Sequence, residues 1–311
     1  MGQHGLAVWL GFTGLVLALL VLDLGVLNRR SHVLTLREAM SWSGGLIVLA
    51  VLFGLFVLWQ EGPQHALEYY TGYLIELSLS VDNLFVFLLI FSYFGVRAEA
   101  QPKVLKWGIL GAIVMRLIMI GLGALLLQRF NWIIYVFGGL LILTGIRMLA
   151  QKEEIVDLER NPVVRLARRF LPICDYYDGS KFFTRTSRGR VLATPLLLVL
   201  LVVEWSDLVF AIDSIPAIFA VTRDPFLVYS SNIFAILGLR ALFFVLAGML
   251  DRFVYLKPGV AFILVFVGLK MTLSGWLHLP TLISLGVIVT ALATAVVLSL
   301  RHTARQARLP A

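Results

Sequence analysis

Nine long runs of apolar residues follow one another along most of the chain. They span residues 6–27, 42–59, 70–94, 104–127, 130–150, 191–220, 228–250, 254–277 and 280–300. A helix needs about 20 apolar residues to cross a hydrocarbon core of about 30 Å. The pattern therefore predicts an all-α, polytopic membrane protein with about nine transmembrane helices in a single membrane domain, residues 1–311.

The composition agrees with a bilayer location. Hydrophobic residues make up 60% of the chain, charged residues only 14%, and the mean hydropathy is +0.93, whereas a soluble domain carries about 25% charged residues. The net charge of +8 comes from basic residues at the ends of the apolar runs and in the segment 151–190. This placement favours membrane topology and anionic lipid at the inner face over nucleic acid as the explanation of the charge.

The basic residues also predict the orientation. With the N-terminus outside, 20 of the 26 lysines and arginines fall on the inner side, and only Arg129 and Arg223 fall outside. Lysine and arginine accumulate in cytoplasmic segments, which predicts an external N-terminus and a cytoplasmic C-terminus. The segment 151–190 would then be a cytoplasmic basic loop, which is either an amphipathic stretch on the inner leaflet or a soluble linker.

Two of the apolar runs each contain several acidic and other polar residues. The third run contains "ELSLSVDN" and the sixth contains "EWSDLVFAIDS". Their candidate site residues are Glu76, Ser80, Asp82 and Asn83 in the third run and Glu204, Ser206, Asp207, Asp213 and Ser214 in the sixth. An unpaired ionised group in such surroundings costs several kcal/mol or more. Something must therefore offset the cost of placing these carboxylates in the membrane.

Charged landmarks recur at nearly equal spacing in two blocks of the chain, 70–150 and 191–277. They are Asp82, Arg116 and Arg147 in the first block and Asp207, Arg240 and Lys270 in the second. The third and sixth runs would cross the membrane in opposite directions, so the pattern predicts an inverted repeat of three helices. Repeats of this kind are typical of transporters, whose substrate site lies near the midplane where the repeats meet.

Helical spacing indicates which side chains can converge. Glu76, Ser80 and Asn83 share one face at i, i+4 and i+7, with Asp82 alongside. Glu204 and Asp207 share a face at i and i+3. Asp213 would point the opposite way on a straight helix. Pro216 disfavours continued helix, so we expect a break near Asp213 that would turn this carboxylate back to the site.

Carboxylate, amide, hydroxyl and carbonyl oxygens are the ligands of hard cations such as Mn²⁺, Mg²⁺ or Ca²⁺. The histidines lie near helix ends and the single cysteine, Cys174, lies in a loop, which disfavours zinc, copper(I) and redox chemistry. A structural alternative is that the carboxylates only pair with the cations within the runs, Arg116, Arg240, Arg147 and Lys270. Six acids against four cations, counting Asp23, favour an ion site, although Asp23 could equally serve as a cap.

These motifs resemble the TerC family of integral membrane proteins, and within it the Alx-like manganese exporters. The resemblance rests on "VLDLGV", "ELSLSVDNLFVF", "NPVVRLARRFLP" with "KFFTR", and "EWSDLVFAIDSIPAIFAVT". It implies export of Mn²⁺ across the bacterial inner membrane. Carried onto this chain, the family's acidic residues are Asp23, Glu76, Asp82, Glu204, Asp207 and Asp213.

The function that we expect is therefore a secondary transporter with no tightly bound cofactor, exchanging Mn²⁺ for protons. An ATP-driven pump or an enzyme is disfavoured, because the sequence has no P-loop, no nucleophile–base pair and no H-E-x-x-H pattern. The alternative is a non-transporting scaffold, or a factor for insertion or assembly of other membrane proteins.

Overall fold

Ten helices and one short hairpin make up the part of the chain that the computed structural model describes. The description omits residues 1–4, 23–34, 131, 151–161, 186–188, 248–254, 274–275, 277–278 and 307–311, and also the side chains of Leu6, Asp82, Phe85, Pro162 and residues 303–306. The helices are α1 (Leu6–Val21), α2 (Leu36–Glu61), α3 (Pro63–Tyr93), α4 (Gln101–Arg129), α5 (Ile133–Ala150), α6 (Pro162–Phe170), α7 (Pro195–Phe219), α8 (Pro225–Ala247), α9 (Leu256–Thr272) and α10 (Thr281–Gln306). Strands β1 (Phe183–Arg185) and β2 (Val191–Ala193) pair antiparallel.

The prediction of an all-α polytopic membrane protein is confirmed. Seven of the described helices, α2, α3, α4, α5, α7, α8 and α10, are long and apolar enough to cross a membrane. The described parts of α1 and α9 have 16 and 17 residues. The total of nine crossings therefore stays a prediction.

Helix ends depart from the apolar runs where capping residues decide the boundary. Helix α2 begins six residues before its apolar run, because Thr35 and Glu38 form a capping box. Gly62, with φ of 89°, ends α2, and Pro63 opens α3 at once. As a result α3 begins seven residues before the apolar run at 70 and includes the polar residue Glu68.

The expected helix break near Asp213 is wrong. Helix α7 continues through Pro216 to Phe219, where Ala220 N–H donates to the carbonyl of Pro216. A proline removes one backbone hydrogen bond, and the bonds on either side hold the helix together with the packing of the buried residues Ile215 and Ile218. Asp213 therefore stays on the face of α7 opposite Glu204.

Helices α3, α4, α7 and α8 form the centre of the bundle, and α5 packs along α9 beside it. The contacts between the two predicted blocks occur in matched pairs: α3 packs on α8 as α7 packs on α4, and α3 contacts α9 as α7 contacts α5. The remaining contacts are α3 with α7, α4 with α8 and α5 with α9. Exchanging α3 for α7, α4 for α8 and α5 for α9 leaves this set of contacts unchanged, as a two-fold relation requires.

The described part of the segment between α5 and α7 is folded onto the helix ends and is not an extended linker. Tyr177 Oη donates to the Phe94 carbonyl at 2.7 Å. Lys103 Nζ donates to the Ser180 carbonyl at 2.6 Å and lies 4.8 Å from the centroid of the Phe182 ring. This segment therefore covers one end of α3 and α4 and leads through β2 directly into α7. Contact of α6 with an anionic lipid surface stays a prediction.

Candidate ion site

The centre of the bundle contains an arginine that binds two carboxylates from other helices. Arg116 of α4 is completely buried, and its Nη1 pairs with Glu76 Oε1 of α3. Its Nη2 lies 3.3 Å from Asp207 Oδ1 of α7, and Nη1 also donates to Ser214 Oγ at 2.8 Å. Glu76, Arg116 and Asp207, here called the charged triad, thus join α3, α4 and α7 at one point.

The charged triad does not satisfy all of its own oxygens. Glu76 Oε2 is buried without a hydrogen-bond partner among the described residues, and Ser80 Oγ, one turn further along α3, is in the same state. A buried acceptor without a donor costs about 1–3 kcal/mol, and more when it is charged. Two ionised carboxylates on one guanidinium also leave a net negative charge. A cation or a proton would bind the unpartnered carboxylate oxygen and also neutralise the negative charge.

A small cavity lies beside the charged triad. It has a volume of about 10 Å³, lies between α3, α4, α7 and α8, and is lined by Glu204 and Asp207 among apolar residues such as Phe87 and Leu239. This is about the space that one water molecule needs. Glu204 itself lies against Gly111 of α4, where an added β-carbon would come within 2.1 Å of Glu204 Oε1. The glycine therefore makes room for this carboxylate.

The polar residues predicted on α3 share a buried face. Glu76 and Ser80 are fully buried and Asn83 is 5% exposed. The side chain of Asp82 and the whole of Asp23 lie outside the described residues. The role of Asp82 as a metal ligand and the role of Asp23 as an accessory residue stay predictions.

The structure separates Asp213 from the other acids of α7. Asp213 Oδ1 accepts a hydrogen bond from Thr144 Oγ1 of α5 at 2.9 Å and interacts electrostatically with Arg147. The expectation that Asp213 turns back to the site is therefore wrong, since α7 does not break. Ser206 Oγ donates to the Val202 carbonyl of its own helix at 2.8 Å and does not reach toward the charged triad.

The remaining predicted cations also lie within the bundle. Arg240 of α8 is 3% exposed, and Lys270 of α9 is partly buried and interacts electrostatically with Glu68 of α3. The electrostatic interactions of Arg147 with Asp213 and of Lys270 with Glu68 each act between the third helix of one block and the first helix of the other.

The charged triad is not a preformed metal site. Among the described side chains, no three histidine, cysteine, aspartate or glutamate residues lie close enough together to hold a metal ion. Arg116 occupies the position between Glu76 and Asp207 that a cation would take. The arrangement is therefore a pair of carboxylates held by a tethered cation.

Sequence reasoning missed several residues that shape the site. Gly111 gives space to Glu204, and Gly108 lines the small cavity. Thr144 donates a hydrogen bond to Asp213, and Glu68 interacts electrostatically with Lys270. Thr144 stands three residues before Arg147 in "TGIRM", so helical spacing could have placed both on one face. Glycine next to a charged helix carries no comparable signal, because small residues are common in membrane helices.

The fold and the site define a polytopic α-helical membrane protein with a buried charged centre where two sets of helices meet. Residues 61–307 match the family described as "Integral membrane protein TerC family", and the chain belongs to this family. It is 52% identical over 300 residues to an uncharacterized membrane protein of Myxococcus xanthus, covering 96% of this chain and 93% of that protein.

Other bacterial relatives are similar along most of their length. Alx of Escherichia coli strain K12, whose name describes a proposed membrane-bound redox modulator, is 48% identical over 291 residues, 90% of each chain. An uncharacterized membrane protein of Rickettsia felis is 41% identical over 292 residues, 94% of this chain and 97% of that protein. No solved structure matches the chain.

Proposed function

We propose that this protein is a secondary transporter that exports a hard divalent cation, Mn²⁺, across the bacterial inner membrane in exchange for protons. The observation that carries the proposal is the sharing of Arg116 by Glu76 and Asp207, at a buried point where α3, α4 and α7 meet. The oxygen ligands support a hard cation, and manganese comes from the family resemblance.

Arg116 acts as the cation of the empty site. When Mn²⁺ enters, the guanidinium gives up the two carboxylates, and the metal takes oxygens that include the unpartnered Glu76 Oε2 and Ser80 Oγ. Asp82, Asn83 and Glu204 are the further ligands that we propose. Oxygen ligands must be deprotonated to bind the metal, so metal binding releases protons and protonation releases the metal.

The matched helix contacts support an inverted repeat of residues 70–150 and 191–277 as the moving parts. Rocking of two such copies about a central site exposes that site to one side of a membrane at a time. The charged triad lies where the first helices of the two copies, α3 and α7, are joined through α4. Each half-cycle would thus load Mn²⁺ inside or protons outside.

Redox modulation, the role in the name of the Alx relatives, is a second candidate. In this chain direct thiol chemistry would fall on Cys174 alone, which is buried and donates from Sγ to the Tyr176 carbonyl at 3.3 Å. A disulfide within one chain needs two cysteines. We therefore propose that Cys174 packs within the segment between α5 and α7 and takes no part in transport.

Purified protein in liposomes tests the proposal, with Mn²⁺ entry and lumenal pH followed together. We expect Mn²⁺ entry coupled to proton movement in the opposite direction, loss of both in Asp207→Asn and Asp82→Asn, and unchanged flux in Cys174→Ser. Size-exclusion profiles of the variants control for folding. Flux without a pH change at zero membrane potential rules out proton coupling, and full flux in both charge-neutral variants favours the scaffold alternative.

A further inference from the structure

Helix α8 contains three consecutive polar residues in a fully buried position. Ser230, Ser231 and Asn232 are each 0% exposed. The two serine hydroxyls donate to carbonyls of their own helix, at 3.3 Å and 3.1 Å. Asn232 differs, because neither its Oδ1 nor its Nδ2 has a hydrogen-bond partner among the described residues. Burying an amide without hydrogen-bond partners costs free energy. This cost points to a ligand that binds there during function.

The position of Asn232 corresponds to that of a cavity-lining glycine in the other block. Gly108 stands eight residues before Arg116, and Asn232 stands eight residues before Arg240. Gly108 lines the small cavity together with Glu204 and Asp207. In the predicted orientation α4 runs outward and α8 runs inward. The Gly108 cavity therefore lies toward the inner side of the arginines, and Asn232 lies toward the outer side.

This part of α8 lies at a junction of three helices. An added β-carbon at Gly72 of α3 would be 3.0 Å from Ser231 Oγ and 3.2 Å from Ile218 Cγ2 of α7. Helices α3 and α7 are the two that carry the acids of the charged triad. Asn232 is the next residue along α8 after Ser231, so the backbone of Asn232 lies at this junction.

We propose that Asn232 is a further cation-binding residue. It would form a second binding site, which the divalent cation occupies on its way between the charged triad and the outer surface. This inference rests on the proposed transport function. The amide oxygen is a hard ligand that suits Mn²⁺, Mg²⁺ or Ca²⁺. Because it is neutral, it holds a cation more weakly than a carboxylate does. Conduction requires binding that is weak enough for the ion to leave, and a neutral ligand on the exit side meets this requirement.

The test compares three variants of the full-length protein in Mn²⁺ flux and in Mn²⁺ binding. Asn232→Leu keeps the number and branching of the side-chain heavy atoms and removes the amide oxygen and nitrogen, and Asn232→Asp keeps an oxygen and adds charge. Ser230→Ala is the matched control, because it removes a buried polar group of the same helix whose hydroxyl is already bonded locally. We expect Asn232→Leu to lower the maximal flux by about tenfold with Mn²⁺ affinity at the charged triad nearly unchanged, and Ser230→Ala to change the flux by less than about twofold.

Asn232→Asp should create a tighter second site, which appears as an additional bound Mn²⁺ in titrations of the detergent-purified protein. Wild-type flux in Asn232→Leu, alongside an inactive Asp207→Asn, overturns this inference and leaves the proposed function standing. No Mn²⁺ flux in the unaltered protein overturns the proposed function itself. If Asn232→Leu does not fold, the titration decides, and an Asn232→Asp protein that binds Mn²⁺ as the unaltered protein does overturns the role of Asn232.

Discussion

At the scale of single residues, one arginine explains why two membrane helices contain carboxylates. Arg116 donates to Glu76, Asp207 and Ser214 from the centre of α4. Breaking a buried ion pair by removing one partner is costly, because the remaining charge has no compensation. The same arrangement would suit the proposed transport, in which a free cation replaces the tethered guanidinium that stabilises the acids.

Replacing Arg116 by leucine should destabilise the protein by about 3–5 kcal/mol, because two buried carboxylates lose their shared partner. Mn²⁺ should restore more stability to this variant than to the unaltered protein, since no guanidinium has to be displaced. Thermal unfolding in detergent with and without Mn²⁺ measures both effects. Arg129→Leu, an exposed position on the same helix, is the control, and an Arg116→Leu protein that Mn²⁺ does not stabilise speaks against a cation site.

Gly111→Ala should impair Mn²⁺ transport more strongly than it impairs folding. The new methyl group would lie within 2.4 Å of the Glu204 carboxyl carbon and would push this side chain out of the cavity beside Asp207. Gly121→Ala on the same helix meets no atom within 4 Å and should transport normally. Flux in liposomes compares the two, and equal flux would remove Glu204 from the transport site.

At the scale of helices, close backbone approach joins the third helices of the two blocks. An added β-carbon at Gly268 of α9 would lie 2.7 Å from the Gly138 carbonyl of α5, and one at Gly145 would lie 2.8 Å from the Ala261 carbonyl. Small residues allow membrane helices to approach closely where lipid gives no hydrophobic driving force. Helices α5 and α9 therefore pack closely along each other, and the hydrogen bond from Thr144 to Asp213 connects α5 to α7.

Gly268→Ala should separate α5 from α9 and lower stability by about 1–3 kcal/mol, as overpacking does in a close-packed interior. Gly139→Ala, on α5 with open space around it, should leave stability unchanged. The melting temperatures of the detergent-purified proteins measure the difference. An unchanged melting temperature for Gly268→Ala would show that the two helices are free to move apart.

At the scale of the whole molecule, the distribution of basic residues predicts one orientation in the membrane. The folded segment that covers the ends of α3 and α4 carries Arg165, Arg168 and Arg169 on α6. Basic residues accumulate on the cytoplasmic side, so this segment should face the cytoplasm. The N-terminus would then be external and the C-terminus internal.

Reporter fusions test this orientation. Alkaline phosphatase should be active when fused after residue 130 or 222 and inactive after residue 95 or 180, and a fluorescent protein at the C-terminus should fluoresce in the cytoplasm. An active phosphatase after residue 180 would place the folded segment outside. It would also reverse the proposed direction of Mn²⁺ movement.

The sequence by itself determined the membrane class, the positions of most helices and the set of charged residues within them. Runs of about 20 apolar residues have few alternatives to a membrane helix, because every backbone polar group must be bonded internally. The burial of Arg116 follows from the cost of exposing a guanidinium to lipid. The resemblance of the acidic motifs indicated the family that the comparisons confirm.

Only the tertiary structure decided which charges meet. Helical spacing places Glu204 and Asp207 on one face, but whether Asp213 joins them depended on α7 remaining straight at Pro216, which packing around the proline determines. The sharing of Arg116 by Glu76 and Asp207 joins residues 40 and 91 positions apart. Such contacts depend on how three helices are arranged around one another, and periodicity along a single helix contains no information about that arrangement.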